Sequence, residues 1–155
     1  MKKTLALIAF TGLLALTLAS CGSDDDKKDE PTPPSRLTLE SVTDTETGAR
    51  IVFEIYLDND SSTIYVYNAV ITANGLTTAP MNVRVNAPCK GDNEGKVFTY
   101  SGTGLIPQVQ RGSIYTPQSS LVVTDFTCVV NTIAKTYSTQ FDCLGKHYSK
   151  SGALK

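Results

Sequence analysis

Apolar residues recur in this chain with a period of two, almost throughout. In Arg50-Ile51-Val52-Phe53-Glu54-Ile55-Tyr56-Leu57, the residues Ile51, Phe53, Ile55 and Leu57 fall on one face. Met81, Val83, Val85 and Ala87 alternate with Asn82, Arg84 and Asn86. Val122, Phe126, Cys128 and Val130 share a face opposite Asp125 and Thr127, and Tyr137, Phe141 and Cys143 share one opposite Ser138, Gln140 and Asp142. Successive side chains of a strand point to opposite sides, so this alternation belongs to half-buried strands, apolar inward and polar outward. The inward set is expected to include Phe53, Ile55, Val83, Val85, Phe126, Cys128 and Phe141.

Turn-forming residues punctuate the alternation. Thr45-Glu46-Thr47-Gly48, Asp58-Asn59-Asp60-Ser61, Asn74-Gly75 and the stretch from Pro88 to Gly95 separate the first strands. A loop rich in Gly and Pro runs from Gly102 to Pro117, and turns at Asn131 to Lys135 and at Gly145-Lys146 close two hairpins. Strands are expected near 36–43, 50–58, 62–73, 80–87, 96–102, 111–115, 120–131, 136–144 and 146–154, and no window carries a useful helical period. The fold class is therefore all-β, an antiparallel meander of about eight strands. Closing or nearly closing such a meander into a barrel removes its exposed edges; a β-sandwich is the alternative.

The alternation, the segment Leu105-Ile106-Pro107 and the closing run from Phe141 to Ser149 resemble the small calycin-like lipoproteins of Bacteroidetes. The resemblance covers about 36–155. It implies a lipid anchor and a lipocalin-like barrel, in a family whose function is mostly unassigned. True lipocalins carry a Gly-x-Trp near the first strand; this chain has no tryptophan, so ligand transport is not implied.

The first twenty residues have the form of a targeting segment. Lys2 and Lys3 precede a nearly unbroken apolar run from Leu5 to Leu16. That run is too short to span a bilayer as a helix, which takes about 20 residues, and has the length of a signal-peptide core. It ends at Leu18-Ala19-Ser20-Cys21, which resembles the lipobox of bacterial lipoproteins. The resemblance implies cleavage before Cys21 and acylation of its thiol. The acidic stretch Asp24 to Glu30 resembles the export tag of Bacteroidetes surface lipoproteins, and Pro31-Thr32-Pro33-Pro34 stiffens the chain as an extended spacer. Three segments follow: a lipoprotein signal peptide at 1–20, a lipidated acidic and Pro-rich tether at 21–35, and one all-β domain at 36–155. The expected location is the outer membrane, lipid-anchored and surface-exposed.

From Arg36 to Lys155 there are ten Lys and Arg and ten Asp and Glu. No basic stripe exists, so nucleic acid is excluded as a partner. Nucleophilic catalysis has little to work with. His147 is the chain's single histidine, and Cys143 is expected to face the core while Asp142 faces away. Asp58 and Asp60 offer oxygen ligands in the manner of a calcium loop. They lack the downstream spacing of an EF-hand, and Asp and Asn are also what a tight turn prefers. No metal or cofactor is expected.

Tyr65 and Tyr67 lie on one face of their strand with Ile71, and Ile64, Val66 and Val70 on the other. A strand apolar on both faces is either covered on both, by a loop or a second copy, or presents an aromatic ligand platform. Cys89, Cys128 and Cys143 remain once Cys21 is acylated. With Asn131 facing Thr136, Cys128 faces Thr139, and Cys143 is then about 14 Å further along, beyond the ~7 Å a disulfide bridges. Cys89, expected in a loop, is placed to reach one of them. Together these features imply a non-catalytic binding or envelope-assembly role on the cell surface, with polysaccharide or an envelope protein as partner. A protease inhibitor acting through the 102–117 loop is the alternative, and a carboxylate-based hydrolase is the remaining one.

Overall fold

The computed structural model describes residues 35–155. The signal segment, Cys21 and the tether up to Pro34 lie outside the described residues. The chain is all-β: an antiparallel sheet curls into an open half-barrel. Its strands are β1 (Arg36–Glu40), β2 (Arg50–Tyr56), β3 (Ser61–Ala69), β4 (Thr72–Ala73), β5 (Leu76–Thr77) and β6 (Met81–Gly91). They continue with β7 (Val97–Gly102), β8 (Gln108–Arg111), β9 (Ile114–Pro117), β10 (Val123–Asn131), β11 (Thr136–Cys143) and β12 (Lys146–Ala153). A short 3-10 turn, Ser119–Leu121, precedes β10.

Eight of these strands form the expected meander, in the order β1-β2-β3-β6-β7-β10-β11-β12. Two hairpins interrupt it: β4–β5 between β3 and β6, and β8–β9 between β7 and β10. The second occupies the stretch from Gly102 to Pro117, expected as a loop with one strand near 111–115; the chain instead turns at Gly112, within that span, between two short strands. The strand expected at 62–73 ends at Ala69, because Asn68 takes φ 54° and the pairing with β6 shifts register between Val66 and Ala69. Ile71 accordingly leaves the face of Tyr65 and Tyr67 and packs inside, with Val66 and Val85.

β6 is the corner strand. One edge pairs with β3 along most of its length; the other pairs first with β8, at Val83 and Arg84, and then with β7, from Cys89 to Gly91. Pro88, expected to break the strand, lies inside it. Its missing N–H falls between the two stretches of partner, where no ladder bond is lost. Cys89 is thus in a strand rather than a loop.

The parity of inward residues follows the sequence along β2, β6 and β11, with Phe53, Ile55, Val83 and Ala87 buried. It fails at two places. Leu57 lies beyond the end of β2 and is 55% exposed. In β10 the pairing with β11 shifts between Thr124 and Thr127, and Asp125 takes φ 48°. This bulge adds one residue and reverses the alternation, so Val123 is buried with Phe126, Cys128 and Val130, while Val122 is exposed.

The first and last strands meet at one end only. Ser41 bridges Leu154; the Val42 N–H donates to the Ala153 carbonyl, and the Lys155 N–H to the Glu40 carbonyl, both at 2.9 Å. Lys155 and Arg50 both reach Glu40, at 2.9 and 2.8 Å. Nearby, Tyr137 lies flat over its cross-strand partner Gly152, where a Cβ would stand 2.8 Å from the ring. Any side chain there would push the ring out of the core.

The main core joins Phe53 to Tyr137 and Tyr100, with ring centroids 5.5 and 6.2 Å apart. Tyr100 is wholly buried, and its hydroxyl has no nitrogen or oxygen partner among the described residues, only the weakly bonding Cys89 thiol beside it. A buried polar group left unpaired costs about 1–3 kcal/mol. Tyr100→Phe is therefore expected to raise stability, by about 1 kcal/mol, as an upward shift of the urea midpoint. A variant less stable than the parent would show that the hydroxyl is bonded.

Candidate functional site

The curl of the half-barrel leaves an apolar cavity of about 300 Å³ between the two core clusters. β2 and β3 supply Ile51, Phe53, Ile64 and Val66 to one wall; β10 and β11 supply Phe126, Cys128 and Phe141 to the other. Val85, half-buried rather than sealed, faces this space, as does Phe141. At the unclosed seam the lining ends in Ala49, Val70, Ser149 and Lys150, of which Val70, Ser149 and Lys150 are exposed and mark the mouth. Tyr148 stacks on Phe141 at 5.1 Å and donates its hydroxyl to the Thr72 carbonyl at 2.8 Å, which ties the β4–β5 hairpin to β12 beside that mouth.

Lys150 is held by Asp44, Nζ to Oδ2 at 3.3 Å. Asp44 also accepts the backbone N–H groups of Thr47 and Glu46, at 2.9 and 3.0 Å. The Thr47 N–H above all, then Lys150 and the Glu46 N–H, bring its pKa from the ordinary 3.8 down to about 2. A lowered carboxylate pKa stabilises the fold above the unfolded value and ceases to do so as pH falls through the folded one. Stability is therefore expected to decline between about pH 4 and pH 2 with a contribution that Asp44→Asn removes, read from urea midpoints across that range. An Asp44 carboxyl that titrates near 3.8 by NMR would contradict this.

The opposite side of the same strands carries an aromatic and cationic surface. Tyr65 pairs across β3 and β6 with Arg84, and Arg84 across β6 and β8 with Gln108; Tyr67 pairs across β2 and β3 with Arg50, and Gln110 across β8 and β9 with Tyr115. Tyr65 stacks near-parallel on Tyr67 at 6.4 Å and meets Tyr115 edge-on at 6.0 Å. The Arg50 guanidinium lies over Tyr67 at 4.5 Å and that of Arg84 over Tyr115 at 4.7 Å. Arg84 also donates to the Gln108 side chain, and Asn82 to that of Gln110 at 2.8 Å. Tyr65 and Tyr67 were legible as one face. Tyr115, Arg50 and Arg84 were missed, because they join it only through strand pairing. The 102–117 segment meets the tyrosines through the β8–β9 hairpin, Gln108 to Pro117.

The acidic turn and the histidine stay apart from both surfaces, whereas Cys128 and Cys143 line the interior cavity. Asp58 and Asp60 sit in an exposed turn where Asn59 Oδ1 accepts the Ser61 N–H at 3.3 Å. Among the described residues, no group of three or more His, Cys, Asp or Glu is placed to hold a metal. His147 Nδ1 lies 2.6 Å from Asp142 Oδ1 on the outside of the β11–β12 hairpin, while Cys143 is buried inside. The Cys128–Thr139 register is as expected, and all three domain cysteines are free and buried. Cys89 and Cys128 each pair with Tyr100, on its two sides, which puts them two strands and roughly 10 Å apart, too far to bridge. Burial pushes the Cys128 thiol up to about 12 and raises those of Cys89 and Cys143, so all three are protonated and unreactive near neutral pH.

Comparison with protein-family models, with curated proteins and with solved structures returned no match.

Proposed function

We propose that this chain is a lipid-anchored, surface-displayed and non-catalytic binding protein whose half-barrel takes a small amphiphile into its apolar interior. The observation that carries the reading is the cavity of about 300 Å³, apolar along its walls with the Lys150–Asp44 ion pair at its mouth. Binding sites for small molecules are typically concave, mostly apolar and fitted with a few polar groups. Water gains little in such a space, since a stable buried water needs two to four polar partners. At ~30 Å³ per water-sized group, the cavity suits a ligand of about ten heavy atoms. Lys150 gives Asp44 one hydrogen bond and keeps two further N–H donors, which suit a polar end such as the carboxylate of a medium-chain fatty acid. Acyl chains on Cys21 would hold the domain at the outer surface, and the tether would give it reach.

Ligand that binds only the folded state raises its stability by mass action. At about 100 times its Kd the gain is about 2.7 kcal/mol, which is roughly 10 °C in Tm for a domain of this size. Decanoate below its micellar concentration is expected to produce a saturable rise of that order, read by thermal unfolding. An unchanged Tm across the accessible concentrations would overturn the reading.

A further inference from the structure

The outer face of β2, β3, β6, β8 and β9 is a second surface with its own chemistry, and the interior cavity does not use it. Its two rows of outward residues on these strands contain three tyrosines, two arginines and three side-chain amides, with Glu40 and Glu54 the acids at their β1–β2 margin. Arg50 is neutralised by Glu40, but Arg84 has no carboxylate within ion-pair distance among the described residues. It is half-buried, flat on Tyr115 and held by Gln108, so its guanidinium is oriented and partly desolvated without a counter-charge. An open groove of about 730 Å³ lies at the rim of this face, where Asn82 and Gln110 meet Arg111, Val109 and Leu121 from the other side of the sheet, with Gln118 beside them. Arg111 likewise has no carboxylate partner among the described residues.

We infer that this face binds an acidic polysaccharide, one whose sugars bear carboxylates. A planar guanidinium matches a carboxylate with two parallel hydrogen bonds, and its fixed orientation reduces the entropy lost on binding. Tyrosine rings offer flat apolar faces for the C–H side of a sugar ring, together with hydroxyls at their edge. The amides of Asn82, Gln110 and Gln118 both donate and accept, as sugar hydroxyls require. The patch crosses five strands, about 19 Å at the usual interstrand spacing, so a chain of several sugars is needed to cover it. A nucleic acid would need a basic stripe, which a domain with ten charges of each sign does not supply.

The test is affinity electrophoresis of the whole chain, in detergent, through gels containing polygalacturonate or dextran. Retardation is expected in polygalacturonate and not in dextran, and it should weaken in about 0.5 M salt as exposed charges are screened. Arg84→Gln and Tyr115→Ala are each expected to weaken binding about tenfold, a loss typical of central interface contacts. Gln108→Glu places a carboxylate beside Arg84 without removing any packed group; it should abolish retardation while leaving the Tm unchanged. Ala69→Phe, which fills the interior cavity, should leave retardation intact, so that failure of the interior reading is distinguishable from failure here. Equal mobility in the two gels, or binding of Gln108→Glu equal to that of the parent, would overturn the inference.

Discussion

Phe53→Ala is expected to cost about 3–5 kcal/mol, enough to leave little of a folding free energy of about 5–15 kcal/mol. Phe53 is 1% exposed, in the middle of β2, where the alternation of Ile51, Phe53 and Ile55 turns one face of the strand into the core. Its ring touches Tyr137 from β11 and Tyr100 from β7, so it joins two strands far apart in the chain. Removing it deletes a large apolar surface and leaves a hole that the curved sheet cannot collapse. The void would merge with the cavity that Phe53 already lines. Leu57→Ala is the control: Leu57 is exposed just past the same strand and should cost less than about 0.5 kcal/mol. Urea unfolding followed by circular dichroism measures both. A Phe53 variant within about 1 kcal/mol of the parent would mean that the aromatic cluster is not the core.

Cys21→Ala is expected to abolish fatty-acid labelling entirely and to release the protein from the membrane fraction. Cys21 follows Leu18-Ala19-Ser20, and its thiol is the acyl acceptor that the lipobox resemblance implies. Each buried methylene contributes about 0.8 kcal/mol to membrane binding. One acyl chain holds a protein only marginally, and two or more anchor it stably. The ten basic and ten acidic residues of 36–155 balance, so net charge does not retain the domain on an anionic surface once the lipid is lost. Labelling with radioactive palmitate, followed by fractionation, measures both effects. A labelled Cys21→Ala protein would refute the anchor.

Period-two alternation carried most of the fold, because one buried face per strand forces it. The hairpin register at Asn131 and Thr136 was equally legible, since the turn between them fixes it, and Cys128 accordingly faces Thr139. What escaped were features without a compositional mark. The bulge at Asp125 reverses parity through a single positive φ, so Val123 replaces Val122 in the core. Pro88 reads as a break, yet it sits where β6 exchanges one partner for another. Half of the outer surface could be seen in Tyr65 and Tyr67 alone. Arg84 and Tyr115 reach them through the pairings of β3 with β6 and of β8 with β9, and such registers are set by the whole sheet. The interior cavity was invisible for a different reason: it comes from curvature and from a seam joined only at Ser41 and Leu154.

A displacement titration on the parent and on Ala69→Phe tests most directly whether the interior of the half-barrel is a binding site. Ala69 lines the cavity at the end of β3, so a ring added there is expected to take up part of its space. With a fluorescent fatty acid bound, decanoate should displace it from the parent at one site per chain. Ala69→Phe should bind neither, while retaining the parent's circular dichroism and unfolding midpoint. Equal binding by the two proteins, or no saturable binding by the parent, would contradict the assignment.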